Sequence, residues 1–448
     1  MKGKVIVSFI LAMLFLTLVC SIFVHFEIFD SHGGSQYSLA QSTVDWWPMF
    51  HHDLNHTGYS TSTAPSTNRT LWSHAIGGWV HSSPAIVDGM VYVGSTNNGV
   101  YALNASSGAK VWNYTTGGQV YSSPVVAGGI VYVGSYDYNV YALNESTGAL
   151  IWSYPTGGEI YSSPAFSDGV VFVGSNGVIS ESRNAAVLKY SDSFTVYALN
   201  ALNGNLEWGY ATSGSVHSSP AFSGGFVYVD SNDGNIYALN ATDGSLKWSI
   251  SVGQGGSAEL SSPAVSGGFV YVDSDDGNAY CLNGSGGTQV WNYTTGGQVY
   301  SSPAVANGIV YVGSYDNNTY ALNASTGVLV WNYTMADNLA SSPAVAGGTV
   351  FVGSLGGVVY ALDASSGAFI WSYTTNGQIW SSPAIVDGIL YIGSYDGNVY
   401  AIGSFNAVPE LPTLLGSTLF VAVTLITVVA YRSLKHYGRK GRDSANCG

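Results

Sequence analysis

A unit of 40 residues recurs along most of this chain, and no other feature constrains the fold as strongly. It is first complete over residues 82–121, SSPAIVDGMVYVGSTNNGVYALNASSGAKVWNYTTGGQVY, and residues 122–161 repeat it almost verbatim. The proline of its Ser-Ser-Pro returns at Pro84, Pro124, Pro164, Pro220, Pro263, Pro303, Pro343 and Pro383. Its tryptophan returns at Trp72, Trp112, Trp152, Trp208, Trp248, Trp291, Trp331 and Trp371. There are eight of each, and five of the seven proline-to-proline steps equal 40, so the chain is a repeat architecture.

Within a unit, four segments read as strands: GQVYSSPVV, IVYVGS, NVYALN and LIWSY. They are rich in Val, Tyr, Ile and Trp, and Asp-Gly, Gly-Gly or Ser/Thr-Gly turns separate them. Gly and Asn supply the positive φ that tight hairpins need. Four antiparallel strands in about 40 residues is the size of one propeller blade. A single blade cannot bury both faces, so neighbours must stack, and a closed ring leaves no lone end. The first repeat element is a stray fourth strand, Leu71, Trp72, Ser73 and His74, while the last repeat, residues 381–404, lacks its Trp strand. The sequence therefore predicts an all-β, eight-bladed β-propeller of four-stranded antiparallel blades over residues 71–404, closed by the N-terminal strand.

The pattern V-Y-V-G-S-x-D-G-x-V-Y-A-L-N-A-S-T-G-x-x-x-W resembles the repeat of pyrroloquinoline-quinone (PQQ)-type propellers. The stretch from Ala102 to Trp112 resembles the tryptophan-docking motif of that family, which implies that each Trp packs onto the neighbouring blade. The lead-in from Trp47 to Asp53 (WPMFHHD) and on through Thr57, Gly58, Tyr59 and Ser60 resembles the segment that precedes such rings. The resemblance implies a fold and leaves the function open, because the family includes dehydrogenases, a bacterial outer-membrane assembly scaffold and surface proteins. No residue maps onto the catalytic Asp or calcium ligands of the quinoprotein dehydrogenases, and their vicinal Cys pair is missing, since only Cys281 lies in the ring. No catalytic, cofactor-binding or metal residue is expected, and PQQ and calcium enter only with the dehydrogenase alternative.

The chain opens Met1-Lys2-Gly3-Lys4 and continues uncharged from Val5 to Val24, so residues 1–28 read as a signal peptide or signal anchor. Residues 29–70 read as linker and lead-in, within which His51, His52, Asp53 and His56 are structural rather than metal ligands. After the ring come a Pro-containing stalk (405–413), an apolar transmembrane helix (414–431) and a basic cytoplasmic tail (432–448). That order resembles archaeal surface-sorting tails, and basic residues at both ends place the ring outside the cell. Charged residues are only 8% of the chain. Between Val44 and Val408 five basic residues face 22 acidic ones, a balance that excludes nucleic-acid binding.

Two places break the period: sixteen extra residues within 176–195 and a three-residue extension within 251–260. Both loop types emerge on one face of a blade, and insertions gathered on one face mark a binding face. His81, Tyr121, Tyr161, His217, Tyr300 and Trp380 directly precede Ser-Ser-Pro, and Trp79, Gln119, Glu159, Gln298 and Gln378 lie two positions earlier. As starts of the innermost strands they are expected to ring the channel mouth, where aromatic faces with amide and carboxylate partners hold a sugar or peptide. The Asp residues of the second-to-third strand loops read as turn residues. So do the runs from Asp230 to Asp233 and from Asp273 to Asp276, which faintly resemble calcium loops. Cys281 reads as a small buried thiol. Asn104, Asn144, Asn240, Asn283 and Asn323 head sequons on the opposite face and are candidate glycosylation sites.

Together these features predict a cell-surface, membrane-tethered, monomeric ring that binds or scaffolds a surface protein or carbohydrate. The alternatives are a PQQ-dependent dehydrogenase or related quinoprotein enzyme, and a purely structural surface-layer component.

Overall fold

In blade 1 the repeat folds as a three-residue innermost strand, Ala85–Val87, followed by Met90–Ser95, Gly99–Asn104 and Lys110–Thr115. Partners across the sheet are Ala85 with Tyr92, Tyr92 with Ala102 and Ala102 with Trp112. Small and large side chains thus alternate along one row, which lets neighbouring blades interdigitate. The two middle strands are buried on both faces, which is why they read as unbroken apolar runs. A bulge skips Val111 between the Leu103–Lys110 and Ala102–Trp112 pairs, so the outermost strand begins with two exposed residues before Trp112 turns inward. The structure is a computed structural model that describes residues 44–177, 194–252 and 261–404.

Eight such sheets form the ring. The last, with Ala384–Val386, Ile389–Gly393 and Asn398–Gly403, takes its outermost strand, Thr70–Ala75, from the other end of the chain. Closure by the N-terminal strand is as the sequence predicts.

Each Trp docks on the next blade. Trp112 is buried, and its Nε1 donates to the Glu145 carbonyl in the turn of blade 2 at 2.8 Å. The seat under that ring is Gly148, whose φ is +70° and where an added Cβ would lie 2.6 Å from the indole. The turn glycine therefore serves twice, for its left-handed backbone and for its missing side chain. Around the closure Trp72 does the same to the Ala105 carbonyl at 2.8 Å, which also accepts from the Tyr391 hydroxyl at 3.3 Å. Blade 8 has no such turn, and there Trp371 donates to the Pro65 carbonyl at 3.3 Å.

Ser-Ser-Pro is not strand. The innermost strands begin only after the proline, a correction to the longer strand read from GQVYSSPVV. The physical reason is that both serines replace ladder bonds with side-chain bonds, and proline has no N–H to give. The first serine pins its own blade: Ser82 Oγ accepts from the Gly94 N–H at 3.0 Å, and the equivalent bond recurs in all eight blades. The second serine pins the next blade. Ser83 N–H donates to Ser123 Oγ at 2.9 Å, Ser123 N–H to Ser163 Oγ at 2.9 Å, and so on until Ser382 N–H donates to Ser83 Oγ at 2.9 Å. This is a closed circle of hydrogen bonds around the channel.

The lead-in is more than a linker. Trp47 exchanges backbone bonds with Ile86, and the carbonyls of Pro48, Leu54, Asn55, Thr57 and Gly58 accept from Val126, Phe222, Val265, Val305 and Val345. Those partners belong to the innermost strands of blades 1, 2, 4, 5, 6 and 7, so the segment crosses under the ring and closes the channel from that side. Tyr59–Ser60 then adds a parallel strand beside Ala344–Ala346. Trp47, Met49, His51 and His56 are buried in this plug. Burial pulls the imidazoles of His51 and His56 down to about 3 and about 4, so both are neutral.

Turn chemistry explains Asp233 and Asp276, whose carboxylates accept from Asn235 and Asn278 N–H and from the Tyr237 and Tyr280 hydroxyls. It does not explain Asp230 and Asp273, a second correction. Both lie in second strands at the place of Gly94, are 1% exposed, and have no hydrogen bond to either carboxyl oxygen. Among the described residues no cluster with metal-binding geometry occurs. Cys281 is fully buried beside Trp291 on the neighbouring strand, as a small thiol in an alanine position should be. The apolar runs 5–24 and 414–431 lie outside the described residues.

Candidate functional site

The connection from each outermost strand to the next Ser-Ser-Pro lies against the second-to-third strand turn. Tyr136 N–H donates to the Gln119 carbonyl at 2.9 Å, and the Asp137 carboxylate accepts from Gly117 N–H and, at 2.7 Å, from the Tyr141 hydroxyl. The loop Asp is therefore a strut between two loops on one face, and Asp316 and Asp396 repeat the arrangement. Held this way, the residues just before Ser-Ser-Pro project over the channel.

His81, Tyr121, Tyr161, His217, Tyr300 and Trp380, all expected at the mouth, line one small central cavity of about 60 Å³. The structure brings them together although they come from six different blades. Beneath them lie the eight second serines and, from the plug, Phe50. The aromatic packing is uneven. Tyr121 stacks on Tyr161 at 5.3 Å, His81 stacks on Trp380 at 5.5 Å, and the Tyr161 hydroxyl meets His81 Nε2 at 2.5 Å. Blades 8, 1, 2 and 3 thus close half the mouth. Across from them Tyr300 contacts Tyr315 at 4.7 Å, and blade 7 contributes only Ala340.

Residues two positions earlier form the rim rather than the wall. Trp79 is 52% exposed and lies flat on Tyr395, with ring centroids 4.8 Å apart and planes at 5°. Gln378 accepts from Trp380 Nε1 at 3.0 Å and so orients that indole. Gln119 and Gln298 are exposed, and Glu159 is half-buried. Burial, then the Glu159 carboxylate, raises the Tyr121 hydroxyl above its ordinary range. Burial likewise pulls His81 down to about 3, which keeps the imidazole neutral. The inserted residues 178–193 and 253–260 lie outside the described residues.

On the opposite face Asn104 Oδ1 accepts from Ser106 and Ser107 N–H at 3.1 Å each, and Asp363 Oδ1 makes the same bonds to Ser365 and Ser366. Asn144, Asn283 and Asn323 cap their turns in this way, and Asn240 does so through Thr242.

Sequence reasoning missed the serine circle and Phe50. The signal for the circle was present: eight identical Ser-Ser-Pro triplets ask for a role that neither a turn nor a strand supplies.

The PQQ expected for a dehydrogenase is a polycarboxylate that is held with calcium. Among the described lining residues there is no Lys or Arg to meet its carboxylates and no Asp or Glu to hold the metal. The residues present do not fit that cofactor.

Ring, docked tryptophans and mouth together define a PQQ-type repeat propeller. The chain belongs to that family: its profile, described as outer membrane protein assembly factor BamB, matches residues 57–122, 115–181, 164–266, 257–341 and 334–407. No curated protein matches the chain. Among solved structures, BamB from Moraxella catarrhalis is similar at 21% identity and TM-score 0.63, over 75% of this chain and 98% of that one. The computationally designed Ika8 protein is similar at 17% identity and TM-score 0.64, over 76% of this chain and 100% of that one. The quinohemoprotein alcohol dehydrogenase from Comamonas testosteroni is similar at 16% identity and TM-score 0.68, over 80% of this chain and 81% of that one. At such identities the likeness carries the fold alone.

Proposed function

We propose that this protein is a cell-surface propeller, tethered to the membrane, that binds or scaffolds a protein or glycan at its aromatic mouth. The observation that carries the reading is the central pocket, where aromatic side chains from six blades converge over a floor of hydroxyls. Concave sites lined by aromatics with a few polar groups are the usual form of a ligand pocket. The family description, an outer-membrane assembly factor, supports a binding rather than a catalytic role. The third strand of blade 8 ends at Gly403 on the face of the sequon turns, so the ring is left on the side away from the mouth. That geometry supports a mouth directed away from the membrane, with candidate glycans on the other side.

The test is capture of surface proteins and printed glycans by the full-length chain in detergent. Trp380→Ala is expected to weaken capture by about 1–3 kcal/mol with the melting temperature nearly unchanged, because aromatic anchors at a desolvated centre dominate binding energy. Asn240→Gln, on the opposite face, is expected to leave capture intact. Loss with Asn240→Gln and not with Trp380→Ala would move the site to the other face. Saturable dye-linked alcohol oxidation after adding PQQ and calcium would replace this reading with the dehydrogenase.

A further inference from the structure

We infer that the cleft between blades 3 and 4, on the face opposite the mouth, binds a protonated alkylamine that donates an N–H to the Ala241 carbonyl. No residue lining the mouth takes part.

The first observation is a hydroxyl that this interface lacks. In six blades a tyrosine of the second strand donates, at 3.0–3.5 Å, to the same turn carbonyl of the next blade that accepts from the docked Trp. Blade 3 has Phe172 at that place. Among the described residues the Ala241 carbonyl accepts only from Trp208 Nε1, at 2.9 Å. Phe351 is the other exception, but the blade after it has no such turn, and Trp371 bonds to Pro65 instead. Ala241 is therefore left with a lone pair where its counterparts receive a second donor.

The second observation is room. A cavity of about 300 Å³ lies at this interface, lined by Phe172, Trp208, Phe222 and Ala241 together with Asp168 and Glu207. Phe172 and Trp208 are buried, Phe222 is half-buried and both carboxylates are exposed, so aromatic walls lead inward from an acidic rim. Phe172 lies on Phe222 with ring centroids 6.1 Å apart and planes at 11°, and meets Trp208 at 5.8 Å. A cavity of about 150 Å³ holds benzene, so this one has space for an amine and its apolar stem.

The third observation is charge. Glu207 is the one acid at its place in the repeat, where the other blades have aliphatic residues or, in blade 4, Lys247. Asn200 Nδ2 donates to one of its oxygens at 3.0 Å and so holds the carboxylate at the rim. Two carboxylates and a carbonyl all accept, and their natural complement is a cation that donates. At the next interface Lys247 stands in the place of Glu207, and its ammonium lies 5.3 Å from the ring of Phe226, the counterpart of Val170 in the cleft lining. One interface along, then, a cation of the chain's own rests against this surface.

The probes are n-butylamine and phenethylamine, titrated at pH 7 into the full-length chain in detergent and followed by calorimetry, with n-butanol, butyrate and tetramethylammonium as counter-probes. At least one amine is expected to bind saturably. Phe172→Tyr restores the hydroxyl that six blades carry and should weaken binding about tenfold, the cost of losing a hydrogen bond to a charged group. Glu207→Gln should weaken it about threefold, since an exposed carboxylate contributes less. Trp380→Ala, at the mouth, should leave it unchanged. Glu207 is exposed, so its variant keeps the test decisive even where Phe172→Tyr fails to fold. Failure of both amines to bind saturably would overturn the inference. So would binding of n-butanol or butyrate, which lack the positive charge, or of tetramethylammonium, which lacks the N–H, as tightly as the amines. Amine binding that neither variant weakens, in proteins that melt like the parent, would overturn it as well.

Discussion

Asp230 and Asp273 sit where six other blades have glycine, and the substitution has an energetic sign. Burial raises both carboxyl groups well above their ordinary value, outweighing the lowering pull of the Ser231 backbone on Asp230 and of the Ser301 side chain on Asp273, and no carboxyl oxygen of either has a partner at good hydrogen-bond geometry. The unfolded chain releases these protons near pH 4, whereas the folded ring retains them to higher pH. Above pH 4 the unfolded state therefore binds fewer protons, and stability falls as pH rises toward the folded values. Asp230→Gly is expected to raise the melting temperature at pH 7 and to give a smaller gain at pH 4, as measured by calorimetry. A variant that melts lower at pH 7 would mean that a partner holds the carboxylate charged. The sequence displayed these two residues but not their burial. Asp-x-x-Asp-Gly looks like a turn, and only strand register separates Asp230 in the ladder from Asp233 in the loop.

Two elements close the molecule, and they were unequally visible. The strand Thr70–Ala75 was legible because the count of Trp strands and Ser-Ser-Pro units differs at the two ends of the repeat. Deleting residues 71–76 removes the ladder partner of Asn398–Gly403 and the docked Trp72. It is expected to cost several kcal/mol, as losing a core element does, and to broaden guanidinium unfolding. A deletion that unfolds like the parent would show that the ring closes another way. The plug was not legible. Its bonds to six blades run through its own backbone carbonyls, which leave no residue pattern, and its few apolar side chains lie too irregularly to signal a strand or helix.

For the whole molecule, the circle of serine bonds and the ring of docked tryptophans make every blade depend on its neighbours, so the ring folds as one unit. The chain leaves that unit on the face opposite the mouth. Truncation after Val408 is expected to end tethering at the C-terminus and to free the ring only where the N-terminal run is cleaved, as membrane fractionation would report. A truncated chain that stays with membranes would identify Val5 to Val24 as a signal anchor.

The number of blades, their strand order, the closing strand and the aromatic ring at the mouth were all written in the sequence, because each blade is local. Its four strands are joined by short turns, and a residue's place in the repeat fixes its place in the blade. What the tertiary structure decided is everything that crosses blades: Phe50 under the pocket, the serine circle and Trp79 resting on Tyr395. Those contacts join residues up to 316 positions apart, such as Trp79 and Tyr395, and the repeat pattern is the same whichever side chains meet across the axis. Which of them meet is set by the closing of the ring.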